Sequence, residues 1–178
     1  MDDLDPQLVA DARRGDLRAF EALVRRYQPA VWRMSSHLLA DASLAEDVTQ
    51  EVFVRVYRFL PGYRGDSKFS TWLFSIARNC AMDELRRSQR RERAQDPGVE
   101  WEDPHNESIG VEVRDALMRL PVRTREPLVW IDMFGMPYAE AARLMGIPIG
   151  TLKSRVHYAR TLLAEALTGP DRSRSHEA

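Results

Sequence analysis

Apolar residues recur at helical spacing along almost the whole chain, and no segment alternates clearly between apolar and polar positions. Val48, Val52 and Val56, for example, follow one another at four-residue intervals and so share one face of a helix. A half-buried strand needs an alternation of period two, which this sequence lacks. The pattern therefore predicts an all-α fold.

Capping residues and prolines mark where the helices of the N-terminal half should begin and end. The predicted starts are Pro6, Asp16, Ser43 with Glu46 as a capping box, and Ser70 or Thr71 for a helix that runs to about Arg93. Pro29 is expected to kink or interrupt the second helix, and Pro61–Gly62 should end the third.

The composition changes after the fourth predicted helix. Residues 95–108 are rich in Pro, Gly, Asp and Glu and have no periodicity, which is typical of a flexible linker. Residues 96–120 hold seven acidic and two basic side chains, a net charge of −5. We therefore predict two small helical domains, residues 1–94 and 109–168, joined by a flexible acidic linker at 95–108, with a disordered tail at 169–178. The pattern indicates no role for Trp101 in the linker.

Composition excludes several classes of protein. The one cysteine, Cys80, rules out an internal disulfide framework, and the four histidines do not fall at metal-ligand spacing. No apolar run approaches the roughly 18 residues of a membrane helix, and the acidic N-terminus is unlike a secretory signal. We expect a cytoplasmic protein with no metal, no cofactor and no membrane insertion. The net charge is only −1, so the placement of charge carries more information than its sum.

Two helices joined by Gly146–Ile147–Pro148 form a helix-turn-helix layout near the C-terminus, predicted near residues 138–145 and 149–167. Residues 141–160 contain four basic and no acidic side chains, which suits contact with DNA phosphates. The predicted buried face consists of Leu152, Val156, Ala159 and Leu163. The candidates for contact with duplex DNA are Thr151, Lys153, Ser154, Arg155, His157, Tyr158 and Arg160. A plain helical hairpin with a solvated face is the alternative that spacing alone leaves open.

The fourth predicted helix carries a second candidate surface for nucleic acid. Trp72, Asn79, Arg86 and Arg90 are separated by 7, 7 and 4 residues and fall within about 40° of one another on a helix. An aromatic ring, an amide and two guanidinium groups in line suit single-stranded nucleic acid. Residues 61–95 hold eight basic and four acidic side chains. The alternatives are a solvated basic helix end and a core position for Trp72.

A third segment has the opposite charge. Residues 38–54 contain four acidic and no basic side chains. Such a surface does not face DNA phosphates, so it is either solvated or a site for a basic protein partner.

Several motifs follow in a fixed order. They are Arg14-Gly15-Asp16 with Ala19-Phe20-Glu21; Ala45-Glu46-Asp47-Val48-Thr49-Gln50-Glu51-Val52-Phe53; Tyr63-Arg64-Gly65-Asp66-Ser67; Phe69-Ser70-Thr71-Trp72-Leu73; Ile76-Ala77-Arg78-Asn79; and Ile147-Pro148-Ile149-Gly150-Thr151-Leu152-Lys153-Ser154-Arg155. With these motifs the chain resembles the extracytoplasmic-function (ECF) sigma factors of the sigma-70 family over nearly its whole length.

The resemblance implies a transcription initiation factor that binds core RNA polymerase and reads promoter DNA both as duplex and as single strand. An anti-sigma protein is a further candidate partner. The residues implied to bind core polymerase are Asp47, Gln50, Glu51 and Phe53. Those implied to bind and open the −10 element are Tyr63, Arg64, Asp66, Ser67, Lys68, Trp72, Asn79, Arg86, Arg87 and Arg90. The helix-turn-helix would read the −35 element, although Tyr158 stands where many members of the family have a basic residue.

Two other functions compete with this interpretation. A stand-alone helix-turn-helix repressor would leave unexplained the acidic segment at 38–54, the stripe on the fourth helix and the acidic linker. An enzyme such as a nuclease needs clustered carboxylates or histidines, or a nucleophile with its base. Asp47 and Glu51 lie one helical turn apart but have no accompanying histidine, so we expect no catalysis.

Overall fold

The computed structural model describes residues 6–94 and 111–168, and within these ranges it contains helices and no strand, which confirms the all-α fold. The chain divides into two compact units, Met1–Asp103 and Pro104–Ala178. The predicted linker at 95–108 with Trp101, the tail at 169–178 and the first two residues of the predicted second domain lie outside the described residues.

In the described part of the first unit, residues 6–94, the chain forms four helices and a short 3₁₀ turn. They are α1 (Pro6–Arg13), α2 (Leu17–Leu39), α3 (Ala42–Phe59), the 3₁₀ turn (Leu60–Gly62) and α4 (Phe69–Ala94). Helices α2, α3 and α4 pack against one another around fully buried side chains such as Val31, Val56 and Leu73. Cys80 lies in the same core, where burial raises the pKa of its thiol to about 11 and keeps it protonated near neutral pH.

The helix caps agree with the sequence at one position and differ at another. Asp16 caps α2 as predicted, because its Oδ1 accepts hydrogen bonds from the Arg18 and Ala19 amides at 2.8 and 3.2 Å. The prediction for α3 was wrong. Asp41, in extended conformation, accepts from the Leu44 amide at 2.9 Å, so Ser43 already lies inside the helix and cannot form a capping box with Glu46.

Two further boundaries differ from the prediction. Pro29 does not interrupt α2, which continues to Leu39 because the buried face on both sides of the exposed proline packs against α3 and α4. Helix α4 begins before Ser70. The Lys68 carbonyl accepts its first hydrogen bond from the Trp72 amide at 3.1 Å, so neither Ser70 nor Thr71 is the cap.

Within residues 111–168 the second unit contains four helices and one π-helical turn. They are α5 (Val111–Arg119), α6 (Val122–Leu128), the π-helical turn (Val129–Met133), α7 (Tyr138–Met145) and α8 (Ile149–Thr168). Pro121 precedes α6 in the cap position, and Thr124 lies within the helix. In the π-helical turn the Phe134 amide donates to the Val129 carbonyl at 3.0 Å, five residues back.

Two charged residues of α6 are buried in the second unit. Arg125 and Glu126 are each only 4% exposed. The Arg125 guanidinium donates from Nη1 to the Met118 carbonyl at 3.0 Å, which ties α6 to α5, and burial lowers its pKa to about 10. Glu126 accepts a hydrogen bond at 3.3 Å from the indole N–H of Trp130, which is fully buried. These bonds offset part of the cost of placing polar groups in the core.

Candidate nucleic-acid and protein interfaces

The acidic segment lies on the exposed side of α3. Asp47, Gln50 and Glu51 are exposed, and Glu51 accepts a hydrogen bond from Nε of Arg55 at 2.6 Å. We name the surface formed by Asp47, Gln50 and Glu51 the acidic face. Phe53 does not belong to it. Phe53 is only 9% exposed and packs largely inside the unit, so its contact with a partner stays a prediction.

Two apolar side chains beside the acidic face were missed by the sequence interpretation. Val54 and Tyr57 are 63% and 51% exposed, and both follow Glu51 on the outer side of α3. The ring of Tyr57 also packs edge-on against Phe20 of α2 at 5.0 Å between centroids. Val54 follows Glu51 by three residues and Tyr57 follows Val54 by three, and this helical spacing was the available signal. The face that a partner would meet therefore combines negative charge with apolar area.

Aromatic packing holds the loop before α4. The ring of Tyr63 lies 5.7 Å from that of Phe69 and 5.1 Å from that of Trp72. Its hydroxyl donates to the Ser67 carbonyl at 2.5 Å, and the Tyr63 carbonyl accepts from Nη1 of Arg13 at 3.1 Å. The loop is thus closed on itself and fastened to α1. The candidate side chains that it exposes are Arg64, Asp66, Ser67 and Lys68, and Arg64 pairs with Asp66 at 3.2 Å.

The predicted stripe on α4 reaches the surface. Asn79, Arg86 and Arg90 are exposed, while Trp72 is half-buried because part of its ring packs against Tyr63 and Phe69. From Trp72 to Arg90 the stripe runs 18 residues, or about 27 Å along the helix. Trp72 therefore combines the two alternatives, a core position and a place on the exposed stripe: its ring packs in the unit and also borders the stripe.

Carboxylates on α4 hold two of the candidate arginines. Arg86 pairs with Asp83 at 2.9 Å, and Arg87 pairs with Glu84 at 3.5 Å. Glu84 also pairs with Arg91. The Asp83 side chain is 39% exposed, so Arg86 can exchange it for a phosphate at small cost, whereas Glu84 is only 13% exposed and keeps Arg91 as a partner when Arg87 leaves it.

The helix-turn-helix is present at Tyr138–Met145 and Ile149–Thr168. Gly146 ends α7 with φ +66°, a left-handed conformation in which glycine carries no steric penalty. Of the predicted buried face of α8, Leu152, Val156 and Ala159 are buried and Leu163 is half-buried. The candidate contacts with duplex DNA all lie on the exposed side: Thr151, Lys153, Ser154, Arg155, His157, Tyr158 and Arg160.

The guanidinium of Arg160 on α8 is already engaged. It donates to both carboxylate oxygens of Asp132 in the π-helical turn, from Nε at 3.1 Å and from Nη2 at 2.5 Å. The Asp132 carboxylate raises the pKa of Arg160, with a smaller contribution from Tyr138 at the start of α7. This bidentate ion pair joins α8 to the π-helical turn, and the sequence alone did not indicate it.

Neither a membrane helix nor a metal site emerges from the described ranges. No helix within residues 6–94 or 111–168 is long and apolar enough to cross a membrane. The same ranges hold no group of three or more histidine, cysteine or acidic side chains placed to bind a metal ion.

Comparison with known families gives two matches, one in each unit. Residues 23–91 match Sigma-70 region 2, and residues 110–163 match Sigma-70, region 4. Among similar proteins, the RNA polymerase sigma-H factor of Pseudomonas aeruginosa is 35% identical over 92% of this chain and 93% of its own length. The ECF RNA polymerase sigma-E factor of Escherichia coli K12 is 34% identical over 88% and 90%.

Solved structures show the same likeness. The sigma factor RpoE of Bartonella quintana, in complex with the anti-sigma factor NepR, superposes with a TM-score of 0.74 at 26% identity, over 87% of this chain and all of that one. CnrH in complex with the cytosolic domain of CnrY gives a TM-score of 0.70 at 28% identity, over 92% and 97%.

Proposed function

The chain belongs to the sigma-70 family, and within it to the ECF sigma factors, and on that premise we propose how its residues serve promoter-specific initiation by RNA polymerase. The factor binds core polymerase, recognises the −35 and −10 elements and opens the DNA. The observation that carries this assignment is the match of both units, in order, to sigma regions 2 and 4. A stand-alone repressor is not favoured, since it has no use for region 2.

In the first unit we assign polymerase binding to the acidic face. Asp47, Gln50 and Glu51 present carboxylates and an amide to solvent, beside the exposed apolar side chains of Val54 and Tyr57. Charge complementarity to a basic surface speeds the encounter and sets the orientation, and the apolar area adds burial. Phe53 supports α3 from within the core.

We assign opening of the −10 element to the loop at 63–68 and the stripe on α4. An unpaired base can be held by the amide of Asn79 and by the rim of the loop, while Trp72 borders the point where stacking is lost. Upstream phosphates would be bound by Arg86, Arg87 and Arg90, which lie toward the C-terminal end of the same helix.

We further propose that the factor works in the cytoplasm and has no catalytic activity of its own. The promoter DNA that it binds and its partner, core polymerase, are both found in the cytoplasm. An anti-sigma protein is a candidate partner because RpoE and CnrH are both seen in complexes, the former with an anti-sigma factor.

Run-off transcription with core polymerase tests the function as a whole. We expect the purified chain to direct transcription from a small set of promoters, which genome-wide mapping of start sites would identify by shared −35 and −10 sequences. Specific promoter binding by the chain alone, with no stimulation of core polymerase, would instead support the repressor.

The exposed residues of α8 lead to a prediction about duplex recognition. Replacing Lys153 or Arg155 with alanine should weaken holoenzyme binding on every promoter and reduce the salt dependence, because a phosphate contact is lost. Replacing Ser154 or His157 should change the preference among −35 sequences by roughly 1–3 kcal/mol per lost base contact. Binding of the variants to a panel of −35 sequences at several salt concentrations measures both effects. Equal losses on all sequences for both kinds of variant would contradict this division.

Arg160 leads to a different prediction. Since Asp132 holds its guanidinium, Arg160→Ala and Asp132→Ala should destabilise the unit equally, by about 0.2–1 kcal/mol. Arg160→Ala should not alter the salt dependence of promoter binding, whereas Lys153→Ala should lower its slope by about one. Thermal unfolding and salt titrations provide the two measurements. A lower slope of the salt dependence for Arg160→Ala would indicate that Arg160 does contact a phosphate.

A further inference from the structure

A row of alternating charges runs from α3 to α4 in the first unit. Glu51 accepts a hydrogen bond from Nε of Arg55 at 2.6 Å. Nη1 of Arg55 lies 3.7 Å from Oδ2 of Asp83, whose other oxygen accepts from Nη1 of Arg86 at 2.9 Å. The row therefore begins on the acidic face of α3 and ends at Arg86 of α4.

The two inner members of this row have no role in the proposed contacts. Arg55 is the more enclosed, with 30% of its side chain exposed, and Asp83 has 39%. Both Glu51 and Asp83 act to raise the pKa of Arg55, so the guanidinium is shared between two carboxylates. The sharing is unequal, because the distance to Glu51 is that of a charge-assisted hydrogen bond and the distance to Asp83 is longer.

We infer that Arg55 and Asp83 are positioning residues that couple occupation of the acidic face by polymerase to the release of Arg86 for DNA. This inference rests on the proposed function of the two surfaces. A basic group that binds Glu51 competes with Arg55 for the carboxylate. Arg55 then turns toward Asp83, and Asp83 loosens its hold on Arg86. The guanidinium of Arg86 becomes available to a phosphate.

The coupling must work equally in the other direction. A phosphate that captures Arg86 leaves Asp83 without that partner, which draws Arg55 away from Glu51. The carboxylate of Glu51 then meets a basic partner more readily. Surface ion pairs are individually weak, so the coupling should amount to about a two- to fivefold change in affinity.

Helix α4 supplies a matched control. Arg87 follows Arg86 directly and is also proposed to bind phosphate, but its carboxylate partner is Glu84, which also binds Arg91. Competition for Glu51 should therefore reach Arg86 through Arg55 and Asp83 and should not reach Arg87.

Double-mutant cycles on the full-length chain test the inference. Affinity for core polymerase would be measured with and without a promoter fragment obtained by start-site mapping. The variants are Glu51→Gln, Arg86→Gln and Arg87→Gln, together with the two double variants that combine Glu51→Gln with Arg86→Gln or with Arg87→Gln. We expect DNA to strengthen polymerase binding of the unmodified chain more than that of Glu51→Gln or Arg86→Gln. The Glu51–Arg86 cycle should show about two- to fivefold coupling, and the Glu51–Arg87 cycle should be additive.

Asp83→Asn gives the decisive comparison, because it keeps the shape of the side chain and removes its charge. In that background the Glu51–Arg86 cycle should become additive, while Arg55→Lys should retain part of the coupling. A chain that binds polymerase and promoter normally but gives additive cycles would overturn the coupling alone. A chain that binds neither would overturn the proposed function together with the coupling.

Discussion

Replacing both Asp47 and Glu51 with lysine should reduce binding to core RNA polymerase by at least about 100-fold, since bringing like charges together at an interface costs several kcal/mol. Both residues are exposed, so the fold should lose no more than about 0.5 kcal/mol for each substitution. Co-purification with core polymerase and titration of the labelled factor would measure the loss.

Glu21 on α2 offers a matched control for this experiment. It pairs with Arg25 one turn later at 3.5 Å, as Glu51 pairs with Arg55, and its side chain is 65% exposed. Glu21→Lys therefore introduces the same local repulsion away from the acidic face and should leave polymerase binding intact. If the double variant binds polymerase as the unmodified chain does, the acidic face is not the contact surface.

The second large effect is expected in strand opening. Asn79→Ala and Trp72→Ala should still form closed complexes but open them about 5- to 150-fold less well, since losing one stacking or base-holding partner costs about 1–3 kcal/mol. Asn79 is exposed, so its substitution leaves the core untouched. Trp72 packs against Tyr63 and Phe69, so the circular dichroism of that variant must be checked first.

A template with a pre-melted bubble at the −10 element should restore transcription by both variants, because the unpairing step has been supplied. Lys153→Ala acts on duplex contact in the second unit and should gain much less. Two measurements separate formation of the closed complex from strand opening. They are permanganate footprinting of unpaired thymines and the run-off yield on duplex and bubble templates. Normal footprints in both variants would indicate that the stripe on α4 is a solvated basic helix end with no role in strand opening.

Local signals in the sequence were sufficient for some boundaries, among them the turn between α7 and α8. Gly146 and Pro148 mark the turn between α7 and α8, and periodicity identified the buried side of α8 correctly at Leu152 and Val156. Such features depend on backbone preferences and on burial, both of which the sequence records directly.

Features that depend on packing between distant segments could not be predicted in this way. Periodicity does not fix the rotation of a helix closely enough to show that Phe53 faces the core while Glu51 does not. The pairing of Arg160 with Asp132 joins residues 28 positions apart, and it became visible only once α8 and the π-helical turn were placed together. Choosing Asp41 over Ser43 as a cap likewise required the backbone conformation of the preceding turn.

The π-helical turn at Val129–Met133 sets how the second unit responds to insertions and deletions. A π turn holds one residue more than the α-helical turn that it replaces. Winding the same residues as an α-helix would therefore rotate the chain that follows by about 100° relative to α6. Deleting one residue from the turn would let it return to α-helical winding without rotating the segments on either side, whereas inserting another residue would add a rotation of about 100°. We expect the unit to tolerate the loss of a residue here better than the gain of one.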